Sequence, residues 1–510
     1  MSWSYFMHWI DLLIFVIYAL VMLGIGFFFL RTNQDTEDYY VGGRNMGSFH
    51  VGLSVVATDV GGGFSIGLGG LGFAMGLSGS WMLFTGLLGA WLSAVFLIPK
   101  VSKLAFEKRL LTFPQVFSHY FSPQVAWIAG LISAIGYTGF TSSQMLAGAK
   151  LASASFIDLD ISTALLIMGV IAVVYTVMGG LKAVIFTDSV QWAILMGGLI
   201  FIGLPIAFYE VGGWAVIKES LPPGHLSFAQ LDVVTAINWL VTIVPIWFVG
   251  MTLYQRIYAC RSEKEAKKAW FTAGFFEWPI MAIMGVSLGI LARVASDQGM
   301  FDALGYGANL DSELGLPLLL RQVLPVGLMG LMLSAYFSAI LSTADSCLMA
   351  ASGNLVTDLL GKKKRTTRQE LRYSQLATLG IGILALFLAS YMTNVLDLML
   401  YSYAFMVSGL FVPVVGILLG HKASPRTAMA AMIAGGGLTL GLILSGIALP
   451  AGLDANVFGL SLSALVYFSF DRIFPPAIPI LTINELTYEN NRNARSTRPS
   501  IQTDSLQEGS

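Results

Sequence analysis

The residues able to do chemistry fall in two apolar stretches. In the first, VGLSVVATDVGGGFSIGLGGLGFAMG (residues 51–76), Asp59 is followed by Gly61, Gly62 and Gly63. A charge at mid-bilayer depth costs at least ~3 kcal/mol, and each interior glycine costs roughly 1 kcal/mol of helix relative to alanine. A segment that only had to span would carry neither. The stretch therefore reads as a discontinuous helix that unwinds near Asp59 and offers free carbonyls and amides to a ligand. Irregular backbone survives at that depth only where it is buried in protein or lines a cavity. Tight helix packing explains Gly67, Gly69 and Gly70 but not Asp59. In the second stretch, Ser342, Asp345 and Ser346 stand at i, i+3 and i+4 and share one helix face. A carboxylate between hydroxyls on an apolar face is expensive unless a cation sits there or the acid is protonated. The neighbouring hydroxyls of Ser342 and Thr343 suit a hard cation, which takes oxygen ligands; the rival use is bonding back to their own helix.

The elements that must position these groups are membrane helices. Apolar residues make up 56% of the chain and charged ones 11%, whereas soluble domains carry about twice that charge density. Segments of ~20 apolar residues are the structural unit of such a chain. They fall at 9–30, 46–76, 80–99, 123–150, 161–179, 186–208, 234–255, 270–294, 317–350, 374–392, 395–419, 426–448 and 455–475, which predicts about thirteen helices. Lys and Arg collect on one side if the N-terminus is outside, so the orientation is N-out, C-in. Arg256 counts among the inner-loop charges in that scheme, and Lys150 among the few outside ones. Phe106 to Tyr120 reads as an interfacial helix, and the segment from Pro476 onward as a disordered cytosolic tail.

A net charge of −1 argues against a nucleic-acid partner. The two cysteines, Cys260 and Cys347, are too few for a disulfide framework or metal cluster. The five histidines have no metal-ligand spacing, and no nucleophile–base set points to an enzyme. GGGFSIGLGG follows no strand, which excludes a dinucleotide-binding loop.

Several motifs resemble the sodium/solute symporter family, whose members include proline, glucose, pantothenate, sialic acid and choline transporters. Asp38-Tyr39-Tyr40-Val41-Gly42-Gly43-Arg44 is similar to the lead into that family's second helix. Tyr175-Thr176-Val177-Met178-Gly179-Gly180-Leu181-Lys182-Ala183 resembles its most diagnostic signature. Gln255-Arg256 with Ser262-Glu263-Lys264-Glu265-Ala266, and Ser338-Ala339-Ile340-Leu341-Ser342-Thr343-Ala344-Asp345-Ser346, follow in the family's order.

The resemblance implies an all-α, polytopic LeuT-type core of two inverted five-helix repeats. Residues 1–45 would form a first peripheral helix and its following loop, 46–210 the first repeat and 211–420 the second. Residues 421–475 would be two peripheral helices and 476–510 the tail. Each repeat opens on an interrupted helix, at Asp59 and at Pro245, the best pointer in a sequence to a midplane site. By resemblance, the main sodium site uses the hydroxyls of Ser342 and Thr343 with the carbonyls of Ala57, Val60 and Ala339. A second sodium site, or an exit path, maps to Asp188, Ser342, Asp345 and Ser346; a single sodium with a neutral Asp345, or a proton, are the alternatives. Substrate candidates beside the break are Thr58, Asp59, Tyr137, Gln144, Trp247, Phe248, Tyr401 and Tyr403. Glu277 is a further intramembrane acid with no family position.

The implied activity is sodium-driven import of a small polar solute across a plasma membrane, with one or two Na+ as coupling ion and lipid as surroundings. Asp59 favours an amino acid such as proline slightly; choline or betaine, monocarboxylates, vitamins and sugars remain alternatives. A sodium-independent facilitator or channel is the rival class.

Overall fold

Thirteen proline- or glycine-punctuated apolar runs can close a core in lipid only as helices, because every backbone polar group must be satisfied internally. The computed structural model describes residues 8–32, 36–156, 159–178, 181–307, 309–360, 367–421 and 423–473. The described residues are helical, with no strand beyond an isolated bridge between Met46 and Cys260. The tail expected from residue 476 lies outside them.

Helix α1 (Trp9–Thr32) and the short α2 (Thr36–Val41) precede α3 (Ser48–Met75), which carries the glycine cluster. Next come α4 (Trp81–Phe96), α5 (Ile98–Lys108) and α6 (Pro114–Tyr120), the last two replacing the single interfacial helix expected there. Arg109 takes a left-handed conformation (φ 52°) that ends α5. Then follow α7 (Pro123–Ser155), α8 (Ile161–Met178), α9 (Leu181–Gly198), α10 (Leu204–Glu210) and α11 (Gly213–Ser220). The second half holds α12 (Val233–Val249), α13 (Met251–Ala259), α14 (Glu263–Phe276), α15 (Ile283–Asp297) and α16 (Ser312–Val323). It closes with α17 (Leu328–Gly353), α18 (Thr367–Ala389), α19 (Val395–Leu419), α20 (Pro425–Ser445) and α21 (Ala455–Ile473). Side-chain oxygens of Ser122, Asp232, Ser262, Asp311, Asn394 and Ser424 cap the N-termini of α7, α12, α14, α16, α19 and α20.

Among the described residues, eight helical runs are long and apolar enough to cross a bilayer, nine if the bent α12–α13 pair is one span. Trp9–Met22, Ser48–Thr58 and Ile161–Val174 are further apolar helical stretches among the described side chains. The single segment expected over 317–350 is divided instead. α16 ends at Val323, and Gly327 at φ 90° redirects the chain into α17.

Two interruptions organise the core, and each sits a few residues later than the sequence suggests. α3 stays helical through Asp59, and the break falls at Gly61 (φ 26°, ψ −161°). α12 likewise runs straight through Pro245; the chain leaves helical geometry at Gly250 (ψ 112°) and bends by 43° into α13. Proline removes the amide that would satisfy the carbonyl four residues earlier. Here that carbonyl, on Val241, accepts a bond from Asn456 Nδ2 of α21 at 3.3 Å, which lets the helix continue.

Beyond its break, α3 crosses α15 with backbones nearly touching. A Cβ on Gly72 would lie 2.3 Å from the Val286 carbonyl oxygen, and one on Gly289 would lie 2.1 Å from that of Gly69. The packing role read for Gly67, Gly69 and Gly70 holds: Gly67 faces Leu396, Gly69 faces Leu316, and Gly70 faces Glu313.

Candidate functional site: a broken helix against two buried hydroxyl faces

The break in α3 brings together the groups a dry cation site needs. The φ/ψ of Gly61 redirect the amides that follow it: that of Gly62, which an unbroken helix would give to the Thr58 carbonyl, goes to Gln144 instead. Beside the break, Thr343 Oγ1 lies 3.3 Å from the Ala57 carbonyl oxygen and 3.2 Å from the Ala339 carbonyl oxygen. Oxygen ligands on a cation bound at 2.3–2.6 Å stand roughly 3.3–3.7 Å apart at right angles. Both distances from the Thr343 hydroxyl are about that spacing, and the one to Ala339 is also the bond back to its own helix. Glycine is required at position 61, since a Cβ there would sit 2.7 Å from both Gln144 Oε1 and Thr343 Oγ1. Gln144 of α7 steadies the far side of the break, its Oε1 accepting from the Gly62 amide at 2.7 Å. The backbone of Asp59 and Val60 runs through α3, but their side chains lie outside the described residues. Thr58 is buried.

Ser342, expected to share the ion with Thr343, instead donates to Asp188 Oδ1. One helical position turns the hydroxyl about 100° away from that of Thr343, toward α9 rather than α3. Asp188 is fully buried and also accepts from Ser54 of α3. Beside it lies Arg256 of α13, also fully buried, with Nη2 3.4 Å from Asp188 Oδ2 and 3.2 Å from Ser346 Oγ. Its Nε donates to Ser54 at 3.0 Å, Nη1 to the Thr252 carbonyl at 3.2 Å, and Nη2 also to the Thr58 hydroxyl. The second cation site read from Asp188, Ser342, Asp345 and Ser346 therefore contains an arginine. Asp345 is buried one turn away, and neither of its oxygens accepts a well-formed hydrogen bond.

The substrate candidates divide. Gln144 is at the break. Tyr137 of α7 is bonded to Thr252 at the start of α13, its oxygen accepting from that amide at 3.1 Å and lying 3.0 Å from the Thr252 hydroxyl. Tyr403 is buried edge-on to Phe140 of α7, and Phe248 edge-on to Phe411 of α19. Trp247 packs against Gly89 of α4 and Trp270 of α14 and does not join the others. Tyr401 is 45% exposed and lines a polar cavity of about 260 Å³ with Thr235, Asn238, Asp397 and Asp454. Glu277 is buried in a π turn, its carboxylate against Gly86 of α4.

Among the described residues, three basic residues sorted into loops by charge are buried: Arg44, which pairs with Glu37 and donates to the Leu110 carbonyl, Lys150 and Arg256. Lys150 is 2% exposed and reaches Asp311 at 2.5 Å and Glu313 at 2.6 Å. Glu313 also accepts from the first amides of α19, Val395 at 2.9 Å and Leu396 at 3.0 Å. Arg256 is the residue that matters most among those not chosen from the sequence, with Ser54 and Thr252 around it. Its signal was local: Leu253-Tyr254-Gln255-Arg256-Ile257-Tyr258-Ala259-Cys260 is too aromatic and apolar for a solvated loop.

Among the described residues the structure is all-helical, and two discontinuous helices, a carbonyl-and-hydroxyl cluster at one break and an ion pair beside it are the features of a membrane transporter built on broken helices. Known proteins bear on which one. The model of the sodium:solute symporter family matches residues 39–435. The high-affinity proline transporter of Bacillus subtilis (strain 168) is 30% identical over 81% of this chain and 88% of its own length. The osmoregulated proline transporter of the same organism is 28% identical over 88% of this chain and 92% of its own. The sodium/proline symporter of Salmonella typhimurium is 27% identical over 83% and 86%. In fold, the chain is similar to a Na+-coupled sialic acid symporter in a substrate-bound outward-open state, with TM-score 0.74, 22% identity, and 92% and 99% of the two chains covered. A nucleobase-cation-symport-1 family transporter in a closed conformation superposes with TM-score 0.55 at 13% identity, covering 90% and 99%.

The chain belongs to the sodium:solute symporter family. It is a multi-pass membrane transporter that couples sodium to an organic solute.

Proposed function

We propose that this protein imports a small zwitterionic amino acid, proline first among them, together with sodium bound at the break in α3. The observation that carries the ion site is the convergence of Thr343 Oγ1 with the Ala57 and Ala339 carbonyls. Proline leads because the relatives quoted above are proline transporters by name, and because Asp59 stands where proline-type members are expected to carry an acid.

In this reading sodium takes the carbonyls of Ala57, Val60 and Ala339 with the Thr343 hydroxyl, and Ser342 completes the set by turning from Asp188. The ion ties α3 to α17 and holds the outward-open arrangement. Solute then binds beside Gly61–Gly63 against Gln144 and Tyr137, and closure follows. Sodium must bind the outward state more tightly than the inward one, or it couples nothing. A charge moved through 100 mV is worth ~2.3 kcal/mol, which is enough to concentrate a neutral solute. Residues 46–210 and 211–420 would act as the two repeats that rock about this site, with 1–45 and 421–475 peripheral.

The test is uptake of radiolabelled proline into proteoliposomes with inward sodium, inward potassium or no gradient. Uptake that needs sodium and is competed by proline supports the reading. Uptake indifferent to sodium would make the protein a facilitator, and sodium-driven uptake of choline, a monocarboxylate, a vitamin or a sugar in place of proline would reassign the solute.

A further inference from the structure

The oxygens beside the main ion site are already served by a positive charge that belongs to the protein. Arg256 presents donors from all three guanidinium nitrogens. Nη2 reaches Asp188, Ser346 and Thr58, Nε reaches Ser54, and Nη1 reaches the Thr252 carbonyl. Asp188, Arg256, Ser54 and Ser346 are 0% exposed, so no water competes from bulk solvent for these contacts. A bare cation binds through lone pairs, whereas here the lone pairs of Asp188 and the surrounding hydroxyls face N–H and O–H donors. A second ion in this space would also lie within a few ångströms of the guanidinium, in surroundings that screen repulsion poorly.

We infer that Arg256 is a tethered cation that takes the place of a second sodium, so that one sodium accompanies each solute. The chemistry that would otherwise recruit an ion, a carboxylate flanked by hydroxyls from α3 and α17, is neutralised from α13. An arginine suits the post because its charge does not titrate and its planar fork meets several acceptors at once. Its placement has a mechanical consequence. α13 is the second half of the bent pair, so any movement of α13 relative to α3 and α9 draws the positive charge away from Asp188. Asp188 would then attract the ion leaving the main site only once α13 has moved. The inference rests on the sodium-symport reading above.

The experiment is a count of ions. On purified protein in detergent, equilibrium binding of radioactive sodium should give one site per chain whatever the solute proves to be. In proteoliposomes with a 100 mV potential and equal sodium on both sides, a one-to-one symporter of a neutral solute reaches about 50-fold accumulation, and a two-to-one symporter about 2,500-fold. The expected wild-type ceiling is the lower value, with a sodium Hill coefficient of about 1. Arg256→Gln should admit a second sodium, seen as a second binding site in protein that still melts cooperatively. Arg256→Lys, which keeps the charge, should stay at one.

Two sodium ions in the wild type overturn the inference, as does a folded Arg256→Gln that still binds only one. If Arg256→Gln does not fold, the wild-type count and Arg256→Lys decide the matter, and two ions in either refute it. Failure of the underlying reading looks different: no sodium is bound at all and uptake ignores sodium.

Discussion

Thr343→Val keeps the volume and β-branch of the side chain and deletes its oxygen. That oxygen lies 3.3 Å from the Ala57 carbonyl oxygen and 3.2 Å from that of Ala339, in a side chain with no solvent exposure. A polar contact to a charged partner contributes about 1.5–3 kcal/mol. Losing it should raise the sodium concentration for half-maximal uptake roughly 10- to 150-fold. In the sodium-free protein the same hydroxyl makes an ordinary intramembrane hydrogen bond, worth on average ~0.6 kcal/mol. Melting without sodium should therefore change little, while the stabilisation by sodium is largely lost. Thermal unfolding in sodium and in choline buffers, paired with a sodium titration of uptake, separates the two effects. Thr343→Ser retains the oxygen and should titrate close to wild type. A valine variant whose sodium dependence matches wild type would falsify the assignment of the ion to this break.

Gly61→Ala places a Cβ 2.7 Å from Gln144 and Thr343 in backbone at φ 26°, a strain of about 1–3 kcal/mol before any overlap; uptake should fall below detection in protein that still inserts, and wild-type transport would show that the break is dispensable. Lys150→Met leaves Glu313 buried without its cation, which should destabilise by about 3–5 kcal/mol, and adding Glu313→Gln should recover part of the loss in melting temperature. Glu265 caps α3 through the Ser48 amide at 2.7 Å, and the Ser48 amide and hydroxyl, with Arg261 alongside, hold its carboxyl down to about 2 from the usual 4.5. Because the folded value is the lower one, its stabilisation is full above 4.5 and disappears as pH falls toward 2. The melting difference between wild type and Glu265→Gln should follow that window, and a difference unchanged down to about 2 would contradict it.

Much of the architecture is legible in the chain because the bilayer leaves few choices. Long apolar runs become helices, a charge beside three glycines marks a break, and Ser338 to Ser346 places hydroxyls and a carboxylate on neighbouring faces by helical period alone. The position of the break was less legible. Asp59 drew attention through its charge, but backbone conformation is decided by sterics, and Gly61 is the residue without a Cβ to clash with Gln144 and Thr343. Pro245 misled in the same way: losing an amide ends a helix only when nothing else serves the orphaned carbonyl, and Asn456, more than 200 positions later, serves it.

Charge was the other limit. Counting Lys and Arg by segment treats each as solvated, which is wrong for Arg44, Lys150 and Arg256. What makes burial of a base tolerable is a partner from another helix, here Glu313 and Asp188, and such pairing depends on distances in three dimensions. The sequence by itself determined a helical membrane protein with an oxygen-rich break, because lipid and helical period act locally along the chain, and its motifs' resemblance to the sodium/solute symporters implied a transporter. Only the tertiary structure decided that Thr343 meets Ala57 while Ser342 meets Asp188, and that an arginine stands beside the residues read as a second ion site or an exit path, because those contacts join segments that approach one another only in the folded protein.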